Sequence, residues 1–424
     1  MKLLKVLLVA LALSLSGAAQ WQPHEVQLLN GAEVISVPAQ FQIVTESWNR
    51  VVAVPYIAYI PEKDRVLMLI SCDYPHQAMV LYSDDHGATW SNPEFVHLGA
   101  DGKPDTGMGV GLTYIGDGKV LLAAGRRWLS KDFGKTWEDL GAMPTMPDGS
   151  AWNVWDPIFV DRDPETKAVK RLLETGYSMD TARWESNGGP GYSKGHIHTS
   201  LDEGRTWVDT VKVPEWDGAS EITIIRAANR DLVAACRTDK PVSMNEVLDH
   251  YEGLAVSISK DDGKTWSALN RLFAWGRHHP SLVLLADGTL VMTYVVRKGY
   301  TDAADGLPRF AVEAIVSKDN GQSWDLDHRY VLHWWKGNQT GQNSWWASSQ
   351  ATSTLLMPDG SLLTVFGTGY RSGEKDKGVA APRDVGMVSW RLSEKSLDST
   401  DTITKAPWES DGRNVFDPKI LKTR

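Results

Sequence analysis

Glu221 and Arg237, sixteen residues apart, are the residues of this 424-residue chain whose types and spacing most directly suggest chemistry. A carboxylate can give or take a proton, and a guanidinium grips an anionic group with two parallel N–H bonds. Asp73 and Asp156 are further acids, His279 is a candidate base, and Arg126, Arg297 and Arg309 are further cations. Together they suit acid–base chemistry on an anionic ligand. Trp345 belongs to a group of four tryptophans (Trp334, Trp335, Trp345 and Trp346) flanking the polar stretch Lys336 to Asn343, and such rings can stack on a sugar face. Each residue also has a plainer reading. Arg237 could be an ordinary ion-pair partner of Glu221, His279 a backbone-bonded histidine, Arg126-Arg127 a solvated pair, and the tryptophans core plugs.

What must position these residues is a repeat. Ser83-Asp84-Asp85-His86-Gly87-Ala88-Thr89-Trp90 recurs as variants ending at Trp137, Trp207, Trp266 and Trp324, giving S-x-D-x-G-x-[TS]-W five times. The Trp-to-Trp spacings are 47, 70, 59 and 58 residues. The motif reads as a hairpin tip. Asp accepts backbone N–H bonds across the turn, Gly supplies a positive φ, and Trp folds back as an apolar plug. The aspartates are therefore expected to be structural, with no metal site and no cofactor.

Paired strands precede each box. Glu221–Ile225 turns into Leu232–Cys236, His279–Val283 turns at Asp287-Gly288 into Leu290–Tyr294, and Ala351–Leu356 turns at Asp359-Gly360 into Leu362–Val365. Asp-Gly between apolar runs is a strong hairpin signal. Similar pairs lie at Val54–Ile70 and Gly109–Ala124, and a looser one at Asp156–Leu173. Six such units predict an all-β, six-bladed β-propeller over residues 20–395, closed by a strand within His24–Ile35, with 396–424 as a polar tail. In antiparallel blades the start of strand one, the end of strand two and the start of strand three share one rim. The boxes fall on the other. On that alignment Asp156, Glu221 and His279 start first strands, Asp73, Arg126, Tyr177, Arg237, Arg297 and Tyr370 end second strands, and Arg309 starts the third strand of the fifth unit.

Composition narrows the class. A net charge of −9 argues against nucleic acid or an anionic membrane surface as the main partner. Hydrophobic content of 42% is ample for a core, and two cysteines without zinc spacing read as buried thiols. Residues 1–19, a basic start followed by an apolar stretch and Gly17-Ala18-Ala19, read as a secretory signal peptide. No later segment approaches the ~20 apolar residues of a membrane helix. The expectation is a secreted or periplasmic monomer without a membrane span.

Five boxes in a six-bladed array resemble the Asp-box (BNR-repeat) proteins of the sialidase superfamily over about residues 40–392. The resemblance implies a sialidase-like propeller and a glycosidase. Glu221 matches the glutamate that partners the nucleophile, and Arg237 the second of three arginines that clamp the substrate carboxylate. Arg309 resembles the third arginine, and Asp73 the acid/base, with His76 competing for that place. Two positions depart from the pattern. Ala53-Val54-Pro55 stands where the first arginine opens an Arg-Ile-Pro tripeptide, and Gln350-Ala351-Thr352 where the nucleophilic tyrosine is expected. The leading expectation is an exo-acting, sialidase-like hydrolase of a terminal acidic sugar. The alternatives are a propeller polysaccharide lyase, with His279 and Tyr294 or Tyr370 as the proton-abstracting pair, and a non-catalytic glycan-binding propeller.

Overall fold

The structure, a computed structural model, describes residues 21–31, 33–179, 193–239, 252–298, 307–338, 348–371 and 382–395. The signal segment and the polar tail lie outside them. Apart from one 3-10 turn at Pro61–Lys63, every regular element among the described residues is a β-strand.

A hairpin opens the chain, β1 (Gln22–Asn30) and β2 (Glu33–Ile43). Four antiparallel four-stranded sheets follow. The first is β3 (Val52–Ile60), β4 (Arg65–Cys72), β5 (Gln77–Ser83) and β6 (Glu94–Phe95). The second is β7 (Gly109–Gly116), β8 (Lys119–Ala124), β9 (Arg126–Ser130) and β10 (Glu138–Ala142). The third is β11 (Phe159–Arg162), β12 (Val169–Met179), β13 (Ser193–Ser200) and β14 (Val208–Asp217). The fourth is β15 (Ala219–Arg226), β16 (Leu232–Thr238), β17 (Gly253–Ser259) and β18 (Asn270–Phe273). The last strands are β19 (Arg277–Leu284), β20 (Leu290–Lys298), β21 (Arg309–Ser317), β22 (Tyr330–Lys336), β23 (Thr352–Leu356), β24 (Leu362–Tyr370) and β25 (Arg383–Trp390). These join β1 and β2 in one nine-stranded sheet, ordered β19-β20-β21-β22-β1-β2-β25-β24-β23.

Neighbouring sheets pack through their first strands, β3 on β7, β11 on β15, β15 on β19, β19 on β23, and β23 back on β3, while the segment just before β11 joins the second and third sheets through the Ile158 N–H and the Thr113 hydroxyl (2.8 Å). That cyclic order makes the fold an all-β propeller. The six blades expected from the repeats require the nine-stranded sheet to count as two, with β1 as the seam. The closing strand falls later than expected: Gln40–Ile43 of β2 pairs with β25, whereas β1 pairs with β22. Second strands are buried on both faces. All eight residues of β4 (RVLMLISC) are buried, as the near-continuous apolar run requires.

The five boxes repeat one geometry. In the first, the Ser83 hydroxyl donates to Asp85 and accepts the Gly87 N–H, while Asp85 accepts the Thr89 N–H (2.8 Å) and hydroxyl (2.6 Å). Box glycines hold φ between 85° and 91°, and the residue before each (His86, Phe133, Glu203, Asp262, Asn320) is left-handed as well. A Cβ on Gly134 would stand 2.7 Å from Leu67, on Gly204 2.7 Å from Leu121, and on Gly321 2.9 Å from Val233. Each of these is a second-strand residue of the preceding sheet. The boxes are therefore wedges between sheets as well as turns. The first one, at Gly87, wedges against Met387 of β25 and closes the ring.

Box aspartates are held below the ordinary carboxylate range by hydrogen bonds, Asp261 at about 2, chiefly through the Thr265 hydroxyl. A depressed folded pKa means that the unfolded chain binds more protons on acidification, so this stability is full above about pH 4 and fades as pH falls towards 2. Asp261→Asn is thus expected to melt below the parent at pH 6, with the gap narrowing towards pH 2.5. Thermal melts at the two pH values test this, and a gap independent of pH would refute it. Cys72 and Cys236 are buried free thiols as expected, and burial pushes Cys72 up to about 12.

Candidate functional site

The first strands carry a repeated defect. Register shifts interrupt β3 between Ala53 and Tyr56, β15 between Ser220 and Ile222, and β19 between His278 and Ser281. At each stands a non-glycine residue with positive φ: Val54 (52°), Glu221 (44°) and His279 (55°). Such residues cost about 1–3 kcal/mol each, and bulges re-aim side chains, often beside active sites. Glu221 and His279 thus occupy equivalent re-aimed positions on successive sheets.

Side chains from these strand starts meet. Arg237, near the end of β16, donates from Nη1 to Glu221 Oε1 (2.5 Å) and from Nε to Glu252, which stands just before β17. Arg237 is thus an ion-pair partner of Glu221, and its charge holds two buried carboxylates. Glu221 Oε2 is buried and makes no hydrogen bond among the described residues. The Thr352 N–H points at His279 Nδ1 (3.3 Å), which leaves Nε2–H to face the Tyr56 oxygen (3.1 Å), while the Tyr56 hydroxyl donates to the Trp155 carbonyl. Burial pushes His279 towards its neutral form, with Arg237 and Arg297 acting the same way and Glu221 opposing them. Asp156 is buried, with both carboxyl oxygens unpartnered among the described residues. Burial, and next the Glu221 charge, raise it well above the ordinary carboxylate range, which favours the protonated form.

A second cluster adjoins this one. Asp73, just past β4 and half exposed, is gripped by Arg50 through Nη2 (2.5 Å) and Nε (3.1 Å). Tyr74 meets Tyr370 hydroxyl to hydroxyl (3.4 Å), and the Arg383 guanidinium lies 5.0 Å from the Tyr370 ring centre. Arg297 and Arg383 bridge the clusters by donating to consecutive carbonyls, Ser349 (3.1 and 3.0 Å) and Ser348 (2.6 Å).

The sequence-predicted residues fare unevenly. Glu221, Arg237, His279 and Asp156 come together, Arg297 stands at their edge, and Asp73 belongs to the adjoining cluster. Asp156 lies in the segment before β11, so it does not itself start a strand. Arg126 does not join them. It is exposed and paired with Asp139 (2.8 Å), and it starts β9 instead of ending β8, because Gly125 (φ 65°) turns the chain after Ala124. Its neighbour Arg127 is no solvated residue: it is buried against Glu174 and His198. Arg309 donates to the Leu307 carbonyl (2.8 Å). Trp345 lies outside the described residues. Trp335 is partly buried and packs its ring against Phe310 and Phe366, whereas Trp334 is 40% exposed. Neither tyrosine proposed to work with His279 does so: Tyr294 donates to Glu313 (3.1 Å) and Tyr370 sits with Arg383.

Sequence reasoning missed Arg50, Tyr56, Glu252 and Arg383. A signal for two of them existed. Third strands start on the functional rim, and in the fourth and sixth units those starts fall at Glu252 and Arg383.

Fold and site together define a class: an all-β propeller of the sialidase-like BNR type, with polar side chains gathered at its strand starts and its boxes at the strand-three turns. The chain belongs to the BNR repeat-like domain family, which it matches over residues 112–333, and a BNR/Asp-box repeat matches at 81–92. It is 28% identical over 162 residues to a sialidase of Micromonospora viridifaciens, a match spanning 36% of this chain and 23% of that protein. In fold it is similar to a protein of unknown function from Dyadobacter fermentans (TM-score 0.56, 15% identity, 81% of this chain and 96% of that one). It is likewise similar to an intramolecular trans-sialidase from Ruminococcus gnavus (TM-score 0.52, 13% identity, 84% and 96%). No helix among the described residues is long and apolar enough to cross a membrane.

Proposed function

We propose that the protein is a sialidase-like glycoside hydrolase that removes a terminal acidic sugar from a glycan, acting outside the cytoplasm as a monomer. The observation that carries this reading is the Glu221–Arg237–Glu252 triad beside His279, set on left-handed bulges that aim it off the strand. Glu221 offers one free carboxylate oxygen to a substrate or its water, while Arg237 fixes the other. Asp73, half exposed and oriented by Arg50, supplies the second carboxyl, at the rim where a leaving group can reach it. Two carboxyl groups of different surroundings are what glycoside hydrolysis requires. Ala351, buried at the place of the expected tyrosine, has no nucleophile to offer, so the bond-breaking step falls to the carboxyl groups.

One observation bears on the lyase reading. His279 does meet a tyrosine, but Tyr56 is fully buried, donates to Trp155, and is pushed well up by burial. Such a pair suits positioning better than proton abstraction. The test is product chemistry on sialylated, uronate-terminated and sulfated glycans. Release of a reducing acidic sugar is expected. An unsaturated uronate chromophore would make the protein a lyase, and binding without turnover a lectin.

A further inference from the structure

Arg383 opens β25 and has no exposed surface. Its Nη2 donates to the Ser348 carbonyl (2.6 Å), Nε and Nη2 lie at longer range (3.3 Å each) from the Thr368 carbonyl, and the guanidinium faces the Tyr370 ring. Nη1 is buried and donates to nothing. The adjacent carboxylate, Asp384, is already taken by Arg371 (2.6 Å) and by the Thr45 hydroxyl (2.7 Å). Among the described residues, then, Arg383 is a buried cation held by neutral partners alone, with no carboxylate within ion-pairing distance. Burying a charge in this way is costly unless an opposite charge joins it.

Its surroundings favour an anion. The backbone N–H of Arg383 bonds Arg50, whose guanidinium orients Asp73, so the site continues into the candidate catalytic cluster. Tyr74, bonded to Tyr370, and His76 are only partly buried, and they are the neighbours past which a ligand would approach. His76 Nδ1 is a second buried polar atom without a partner. The Arg383 charge is felt there: burial first, and then this cation, push His76 down to about 4.

We infer that Arg383, with Tyr74, Tyr370 and His76, forms a subsite for the anionic group of the sugar, a carboxylate or a sulfate. The subsite rests on the proposed glycan-hydrolase reading and adds to it a specificity-determining residue on β25. Nη1 supplies the open donor, and the tyrosine hydroxyls supply further bonds to the anion. An incoming anion gives the guanidinium the counter-charge that the fold withholds.

The experiment measures binding by calorimetry with three matched probes: glucuronate, glucose 6-sulfate and glucose. Parent, Arg383→Lys and Arg383→Met proteins are compared, each checked for native circular dichroism. The parent should bind at least one anionic probe in preference to glucose. Arg383→Lys keeps the charge but loses the fork, and should weaken that binding by about tenfold. Arg383→Met should abolish the preference and leave glucose binding unchanged. Should the Met variant fail to fold, the Lys variant alone decides. Which anion is preferred separates the carboxylate from the sulfate.

A parent that binds no anion better than glucose, or variants that keep its preference, would overturn the subsite. Turnover is a separate readout. On any acidic glycan that the parent cleaves, the variants should raise KM with kcat within about threefold, as loss of uniform binding requires. A parent that binds the anion but cleaves no glycan defeats the hydrolase reading and leaves the subsite standing. A parent that cleaves acidic glycans with unaltered variants does the reverse.

Discussion

Glu221→Gln is expected to lower turnover of an acidic glycan by roughly 10²–10⁴-fold, with substrate affinity changed by less than about threefold. The glutamine is nearly the same shape, and its carbonyl can still accept the Arg237 Nη1–H bond that now fixes Oε1. What it removes is the charge and proton capacity of Oε2, the buried oxygen that has no hydrogen-bond partner among the described residues. Initial rates give kcat and KM separately, and the effect should fall on kcat. Turnover within threefold of the parent would remove Glu221 from the chemistry. A matched rise in KM without loss of kcat would make it a binding residue.

The largest effect on stability should come from Arg237→Met. Arg237 stands between Glu221 and Glu252, whose side chains are each only 5% exposed. Deleting the cation leaves two buried carboxylates facing each other, and breaking such a pair costs about 3–5 kcal/mol. The denaturation midpoint should fall accordingly, and Arg237→Lys should recover much of the loss by keeping the charge. Adding Glu221→Gln and Glu252→Gln to Arg237→Met should also restore stability, because it removes the repulsion. An unchanged midpoint in Arg237→Met would mean that the carboxyl groups have other counter-charges.

The contrast between fold and site explains what could be read from residues alone. Box and hairpin are local: Asp287-Gly288 and Asp359-Gly360 form the turns that their chemistry demands, each closed by a carboxylate accepting a backbone N–H (2.9 Å). Five copies of Ser, Asp, Gly and Trp at fixed offsets leave little freedom, so the propeller was legible. The site is not local. Glu221 and Arg237 were visible because strands β15 and β16 are adjacent in sequence and pair directly. Tyr56 and His279, 223 residues apart, meet because the ring brings β3 and β19 to one axis, and no pattern in either segment announces it. Arg126 misled for the opposite reason: one glycine moved it from the end of a strand to the start of the next. Left-handed Val54 and Glu221 were equally unforeseeable, since neither is a residue type that favours that conformation.

The seam of the ring bears on how the chain folds in time. Val385 donates to the Thr45 hydroxyl across 340 residues, and β2 pairs with β25, which leaves the ribosome long after it. Until then β2 carries a row of unpaired backbone groups, the kind of edge that recruits other chains. Contacts this distant in sequence also slow folding, because loop closure must precede any stabilisation they give. Early sheets can assemble in order, but the ring can lock only after β25 has been synthesised. A chain cut short before Arg383 would present two open edges at once, β2 and β24, and would be prone to aggregate however well its other sheets had formed.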